Sequence, residues 1–316
     1  MHAVTAHDVS AAVSSGPLPT GTVAVLANPT AARGRYRGLV PAVLDRLRAG
    51  GRPVRLLEAD TAAQAQAACH AAVADGAAAL VTVGGDGTVH LALQAVAGTA
   101  VAFGPVPAGT GNDFAAETGY PVDPLAAVEQ IARALADGRT QPVDLVRMTL
   151  PEGTVRWYGA VLAAGFDAIV NERANRMRWP RGPRRYDIAI LIELARLRPR
   201  RYTLRLDGTT HELDAVLVAV GNCASYGGGM RICPDADPRD GLLDVVLAGP
   251  VSRTTLVRIK PRVYQGTHVH HPVVRSFRAR TVKLDAEGII GYADGERIGP
   301  MPMSMTAVPG AARLLR

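Results

Sequence analysis

From Thr22 onward, short apolar runs alternate with longer stretches of helix-forming residues. TVAVLAN (22–28) is a continuous apolar run stopped by Asn28-Pro29, which predicts a buried strand and a turn. A helix is expected over 36–49, ended by Gly50-Gly51, and PVRLLEA (53–59) predicts a second strand. TAAQAQAACHAAVADG (61–76) is built of strong helix formers and closes on a glycine. AALVTV (78–83) is the third strand, a helix is expected over 88–97, and AVAFGPV (100–106) is the fourth strand. A glycine-rich loop follows each of the last two strands. Strand–helix alternation with short links predicts a parallel sheet covered on both faces.

Past about residue 141 the pattern changes. PVDLVRMTL, VRWYGAVLAA, YTLRLDG, DAVLVAVGN, LLDVVLAG, TVKLDA and IIGYADG read as strands at short spacing, interrupted by two helical stretches. The expected organisation is a disordered tail over 1–21, an α/β nucleotide-binding domain over 22–141 and a β-rich, sandwich-like domain over 142–305. Residues 306–316 are expected to return to the first domain, with the active site in the cleft between the two.

Composition narrows the picture. With 316 residues, 48% of them hydrophobic and only 20% charged, the chain can build a substantial core. A net charge of +7 favours anionic partners. An aromatic content of 4% argues against stacking platforms for single-stranded nucleic acid, and no nucleic-acid partner is expected. Cys69, Cys223 and Cys233 form no CxxC and suit a reduced compartment. The first 22 residues lack the basic start and apolar centre of a signal peptide, and no apolar run reaches the ~18 residues of a membrane span. The expected location is cytoplasmic, with only peripheral membrane contact.

The candidate chemistry lies in the two glycine loops, GGDGT (84–88) and PAGTGND (107–113). Glycines let backbone N–H groups approach phosphate oxygens, and a helix N-terminus adds partial positive charge. A carboxylate there would repel phosphate unless a cation lies between. Asp86, and by the same logic Asp113 beside Gly111 and Asn112, therefore make sense as partners of a Mg2+ bound to nucleotide. Helix capping by the aspartates is the plainer alternative. Neither loop matches GxxxxGK[ST] or GxGxxG, so an ordinary P-loop or Rossmann site is not expected.

GGDGT at 84–88, PAGTGNDFA at 107–115, YGGGMRICPDADPRDGLLDV at 226–245 and ADGE at 293–296 resemble the diacylglycerol kinase catalytic family, in order and over the chain from about residue 22 onward. That family includes sphingosine and ceramide kinases and is distantly akin to NAD kinases; the likeness is strongest to soluble actinobacterial members. The resemblance implies ATP in the interdomain cleft, contacted by Asn28, Pro29, Thr30, Ala31 and Ala32, by Gly85, Asp86, Gly87, Thr88, Val89, His90 and Leu91, and by Thr110. It implies two Mg2+ ions, one with ATP and one structural. The structural ion would be held by the Asp240 side chain with backbone oxygens of Asp237 and Leu242, and joined to Asp86 and Asp113 through water. Ala32 replaces a frequent glycine, and His90-Leu91 replaces the Asn-Glu that commonly ends GGDGTxNE. His90 is read as a nucleotide contact or a surface residue.

Phosphoryl transfer needs positioning, a metal and a group that accepts the alcohol proton. ADGE puts two acids on a tight turn after an apolar run. The resemblance assigns proton acceptance to Glu296 and leaves Asp294 to support the loop or the metal network, with Asp86 as the second candidate base. Ten arginines fall between 173 and 201, and Met177, Trp179 and 188–194 add apolar bulk, a combination that suits docking on an anionic bilayer or a plainly solvated face. The leading expectation is ATP-dependent phosphorylation of membrane diacylglycerol to phosphatidic acid. A sphingoid or other lipid kinase, an NAD kinase and a non-catalytic nucleotide- or lipid-binding regulator are the alternatives, and a homodimer is left open.

Overall fold

The structure, a computed structural model, describes residues 18–27, 38–177, 179 and 184–316. The phosphate loop expected at Asn28–Ala32 lies outside the described residues, as do Arg178 and Arg181 and the side chains of Arg184 and Arg185.

The first half alternates as its pattern implies. In order come β1 (Val23–Ala27), α1 (Leu39–Arg48), β2 (Val54–Leu57), α2 (Ala62–Ala74), β3 (Ala79–Gly84), α3 (Asp86–Val96), β4 (Ala102–Pro107), α4 (Asp113–Glu117) and α5 (Pro124–Asp137). Strands β2, β1, β3 and β4 lie side by side in that order, all parallel. The residues of β1, β3 and β4 are buried on both faces, hence their continuous apolar runs, while β2 at the edge exposes Arg55 and Leu56. Helix α2 opens with a capping box in which the Thr61 side chain accepts from the Gln64 N–H and the Gln64 side chain reaches back. Helix α5 was not anticipated. Its signals were present: Asp123 caps it, Pro124 starts it, Gly138 ends it in the left-handed conformation, and Val128, Ile131 and Leu135 face the core. Gly104 on β4 makes room for that helix, since a Cβ there would lie 2.9 Å from Ile131 Cδ1.

The second half contains β5 (Gln141–Thr149), β6 (Val155–Tyr158), β7 (Val161–Gly165), α6 (Phe166–Arg176), α7 (Arg184–Ala195), β8 (Arg200–Leu206), β9 (Thr209–Ala215), β10 (Leu217–Gly221) and β11 (Leu243–Ala248). It continues with α8 (Arg253–Gln265), β12 (Val274–Ala279), β13 (Thr281–Asp285), β14 (Ile290–Ala293), β15 (Glu296–Pro300) and β16 (Met303–Leu314). Strand β8 shows the alternation of a sheet packed on one face: Tyr202, Leu204 and Leu206 are buried while Arg201, Thr203 and Arg205 face out. Among the described residues the α-helices that interrupt these strands are α6, α7 and α8, three where two helical stretches were expected.

These strands form two sheets. A six-stranded antiparallel sheet has the order β12-β11-β10-β7-β14-β15. Against it packs the antiparallel part of a ten-stranded sheet, ordered β2-β1-β3-β4-β16-β13-β8-β9, with β5 paired to β16 and β6 to β5. Leu162, Val218 and Val245 from the first meet Val146, Leu204, Leu284 and Met305 from the second in one apolar layer, the core of a β-sandwich. The link between the halves is β16: Ser304–Thr306 pair antiparallel with β13, while Arg313 and Leu314 pair parallel with β4.

Candidate active site

In a parallel sheet, ligands gather beyond the carboxyl ends of the strands. Both glycine loops stand there, and they touch each other. A Cβ on Gly109 would fall 2.4 Å from the Gly85 Cα, so the contact admits only glycine. The Ala108 N–H donates to the Gly84 carbonyl at 2.8 Å. Asn112, left-handed at φ 60°, closes the second loop on itself: its Oδ1 accepts from the Gly109 N–H and its Nδ2 donates to the Gly109 carbonyl.

Asp86 opens α3 and points at this second loop. Its Oδ2 accepts from the Asn112 N–H at 2.7 Å and its Oδ1 from the Phe114 N–H at 3.4 Å. Burial, with the charges of Asp113 and Asp294 added, pushes the Asp86 carboxyl up to about 6. Asp113 turns the other way. Its two oxygens accept from the Gly228 and Gly229 N–H groups at 2.9 and 2.8 Å, so it clasps the YGGGM loop of the sandwich.

The sandwich contributes the ADGE turn. Asp294 (φ 52°) and Gly295 (φ 83°) are both left-handed, and Ala293 pairs with Glu296, as in a two-residue hairpin loop of the primed type. This geometry separates the two acids. The Asp294 side chain is buried and accepts from the Gly159 N–H at 3.0 Å, the Ala160 N–H at 2.9 Å and, through Oδ2, His90 Nδ1 at 3.2 Å. Glu296 is exposed, and its Oε1 would stand 2.6 Å from a Cβ on Gly87. A carboxylate from one domain therefore lies directly over the bare backbone of the other. It accepts no hydrogen bond from the described residues.

The expected contacts thus divide by geometry. Gly85, Asp86, Gly87, Thr110 and Gly111 remain at the cleft surface, and Glu296 faces them. Thr88 and Val89 are buried, Thr88 folded back on Gly84, while Leu91 packs against the core. His90 is not a surface residue: its ring is buried and holds the Asp294 carboxylate.

Asp86, Asp113 and Glu296 converge around Gly87 and Gly111; a Cβ on Gly111 would meet Asp86 Oδ2 at 2.5 Å and Asp113 Oδ2 at 3.4 Å. This gathering of carboxylates beside bare backbone fits a nucleotide-bound Mg2+ reached through water. The residues expected to hold a structural Mg2+ fit less well. One Asp240 oxygen accepts from the Leu242 N–H at 2.9 Å, and the other pairs with the Arg278 guanidinium, which also meets Asp244 at 3.3 Å. The Asp237 carbonyl already accepts from the Arg239 and Asp240 N–H groups. A guanidinium supplies the positive charge at this turn.

Several organising residues escaped the sequence reading. Asp144, buried in β5, accepts from the Gly241 N–H and the Gly310 N–H, both at 2.8 Å, and so ties the DGLLD turn to β16. Asn222 donates to the carbonyls of Asp144 and Gly159. Gln94 on α3 pairs with both backbone groups of Trp157, joining the domains beside the cleft. Tyr226 donates to Asp167 at the start of α6, where burial pushes the Asp167 carboxyl up to about 7. A polar residue inside an apolar run was the available signal for Asp144 and Asn222.

The comparisons agree with this architecture. Residues 22–148 match the diacylglycerol kinase catalytic domain, and residues 160–316 match the YegS C-terminal NAD kinase beta sandwich-like domain. The chain is 45% identical over 298 residues to a protein named diacylglycerol kinase from Mycobacterium tuberculosis, covering 94% of this chain and 95% of that one. It is 36% identical over 183 residues to a protein from Xanthomonas oryzae named "Probable lipid kinase YegS-like", covering 56% and 58%. A diacylglycerol kinase structure from Bacillus anthracis shares the fold with a TM-score of 0.69 at 18% identity, over 93% of this chain and 96% of that one. A second structure from the same organism gives 0.76 at 20% identity, over 96% and 97%. With the two-domain match and the near-full-length relative, the chain belongs to the diacylglycerol kinase family and is a lipid kinase of that family.

Proposed function

We propose that the chain transfers the γ-phosphate of ATP to the free hydroxyl of 1,2-diacylglycerol, forming ADP and phosphatidic acid. The observation that carries this reading is the Glu296 carboxylate, free of hydrogen bonds among the described residues and poised over Gly87 in the phosphate-binding loop. The Mycobacterium relative's name supports the acceptor. In this reading the backbone N–H groups of Gly85 to Gly87, at the positive end of α3, face the phosphates. Asp86 and Asp113 fix the two loops against each other and against YGGGM. Glu296 accepts the proton of the lipid hydroxyl as its oxygen attacks the γ-phosphorus and ADP leaves. A Mg2+ bound with ATP would neutralise the phosphate charge that the surrounding carboxylates oppose.

The kinase would work at a membrane surface, where its acceptor resides; no helix among the described residues is long and apolar enough to cross a membrane. The test is transfer of labelled γ-phosphate from Mg-ATP to dioleoylglycerol, sphingosine, ceramide and NAD, each supplied separately. Phosphatidic acid should be the dominant product. Preferential sphingoid phosphorylation would reassign the acceptor, NADP formation without lipid product would overturn the lipid reading, and no turnover with any acceptor would favour a regulator.

A further inference from the structure

At the opposite end of the six-stranded sheet from the acids, a cavity of about 530 Å3 opens between α6, α7, the start of β8 and the start of α8. Strands β7 and β10 span the separation. Their Val161 and Gly221 ends adjoin the Asp294 turn, and their Gly165 and Leu217 ends reach Phe166 and Val216 in the cavity wall. Five strand residues at the usual rise put the two sites about 15 Å apart. This cavity is distinct from the cleft.

Its wall is strongly basic. Arg173, Arg196, Arg198, Arg200 and Arg253 line it, with Glu193 as the single acid. Glu193 is committed to Arg173. Arg196, Arg198, Arg200 and Arg253 have no carboxylate partner among the described residues, and all four are exposed at the rim. Guanidinium groups gathered around one opening repel each other, and a phosphate between them removes that cost by accepting paired N–H bonds. The rest of the wall is apolar: Phe166, Ile169, Leu197 and Val216. A free inorganic anion gains nothing from such a surface, whereas the glycerol backbone and first methylenes of a lipid do.

The surroundings point the same way. Leu191 is 65% exposed and stands one turn before the lining residue Ala195 on α7; Val257 is 54% exposed and stands one turn after Arg253 on α8. Trp179, at 80% exposure, lies on the chain between α6 and α7. Exposed apolar residues beside unpaired cations are the composition of a membrane-interface surface.

We propose that this cavity binds the phosphate headgroup of an anionic glycerophospholipid while the flanking apolar residues enter the bilayer. It is a headgroup site separate from the one that phosphorylates the acceptor, and it requires no turnover. It also locates membrane docking on residues other than the arginines at 178, 181, 184 and 185.

The test is flotation of the full chain, without ATP, with phosphatidylcholine vesicles that contain phosphatidic acid or lack it. The wild type should float with the anionic vesicles. The double variant Arg198→Gln/Arg253→Gln should bind them about thirtyfold more weakly, the effect of two interfacial cations. A charge-matched control, Arg205→Gln/Lys283→Gln, removes two exposed cations from neighbouring positions on β8 and β13 and should weaken binding less than about threefold. Equal losses in both variants would reduce the effect to net charge and overturn the site, as would unchanged binding in the cavity variant. Inorganic phosphate supplies the other arm. If it raises the Tm of the wild type but not of the cavity variant while vesicle binding is equal in both, the site takes free phosphate and the lipid assignment fails. Phosphorylation of a short-chain, dispersed diacylglycerol should be unchanged by the cavity substitutions. If the wild type does not catalyse it, the acceptor reading fails while the vesicle result stands.

Discussion

Asp294 and Glu296 are separated by one glycine and do different work. The left-handed pair Asp294-Gly295 sends the first carboxylate inward to two backbone N–H groups and His90, and leaves the second over Gly87. Glu296→Gln should retain ATP affinity, measured by titration, and lose about 10²- to 10⁴-fold in kcat, the usual worth of general-base catalysis. Near-wild-type kcat in that variant, with Asp86→Asn binding ATP yet inert, would move the base to Asp86. Asp167 offers a separate test at this scale. Its carboxyl is raised to about 7 by burial, so the folded chain holds that proton more tightly than the unfolded chain does. Asp167 therefore makes stability fall as pH rises from about 4 to about 7. Asp167→Asn, which keeps an acceptor for Tyr226, should raise the Tm relative to wild type at about pH 8 and lose that advantage near pH 4. A constant difference across the range would sink the assignment. The acids of the site were legible in sequence because they sit in glycine-rich turns. Their partners were not, since His90, Gly159 and Ala160 meet Asp294 only through tertiary packing.

At the scale of elements, the cleft is a junction of loops held by carboxylates that receive backbone N–H groups. Asp113 at the head of α4 fixes Gly228 and Gly229, and Asp144 in β5 fixes Gly241 and Gly310. Asp113→Ala removes two charge-assisted bonds from a buried position and should cost about 3 kcal/mol in denaturant unfolding. Asp113→Asn, able to accept only one bond at its oxygen, should fall between. An alanine variant as stable as wild type would mean that the YGGGM loop is held by other contacts. The DGLLD turn tests the charge on Asp240. Arg278 is half exposed, so Arg278→Gln should cost only about 1 kcal/mol. EDTA should leave the Tm of the nucleotide-free wild type unchanged, because the guanidinium already answers Asp240 and Asp244. A drop in Tm on chelation, restored by Mg2+, would show that a divalent cation is part of the folded turn. The strands and helices α1, α2 and α3 of the first half were readable from periodicity and end signals, whereas α5 was not, although Asp123, Pro124 and Gly138 mark its ends. Helix α8 carries a weaker pattern: Pro261 and many polar positions interrupt it, and Ile259 is its one buried residue among those described.

On the scale of the whole molecule, the last strand makes the two halves interdependent. Its first part lies between β13 and β5 in the sandwich, and its end lies beside β4 in the nucleotide domain. Between them, the register shift between Val308 and Ala312 carries the strand past Gly310, whose N–H is held by Asp144. The terminal residues are also anchored from the side: the Leu315 N–H donates to the Phe103 carbonyl, the Tyr120 hydroxyl to the Leu315 carbonyl, and Arg316 to the Thr118 carbonyl. Removing residues 311–316 would expose β4 as an unpaired edge and take the buried Ala311, Ala312, Leu314 and Leu315 out of the core. Such an edge invites pairing between chains. The shortened chain should aggregate or lose cooperative unfolding, although every motif of the cleft remains in its sequence. The intact chain should unfold in one transition, with near-UV dichroism reporting the sandwich and nucleotide protection reporting the first domain at the same midpoint. Two separated midpoints, together with a soluble and folded chain lacking 311–316, would show that β16 only decorates the first sheet. In that case Glu296 would be held over Gly87 by the loop clasps alone, and Asp113→Ala would release it.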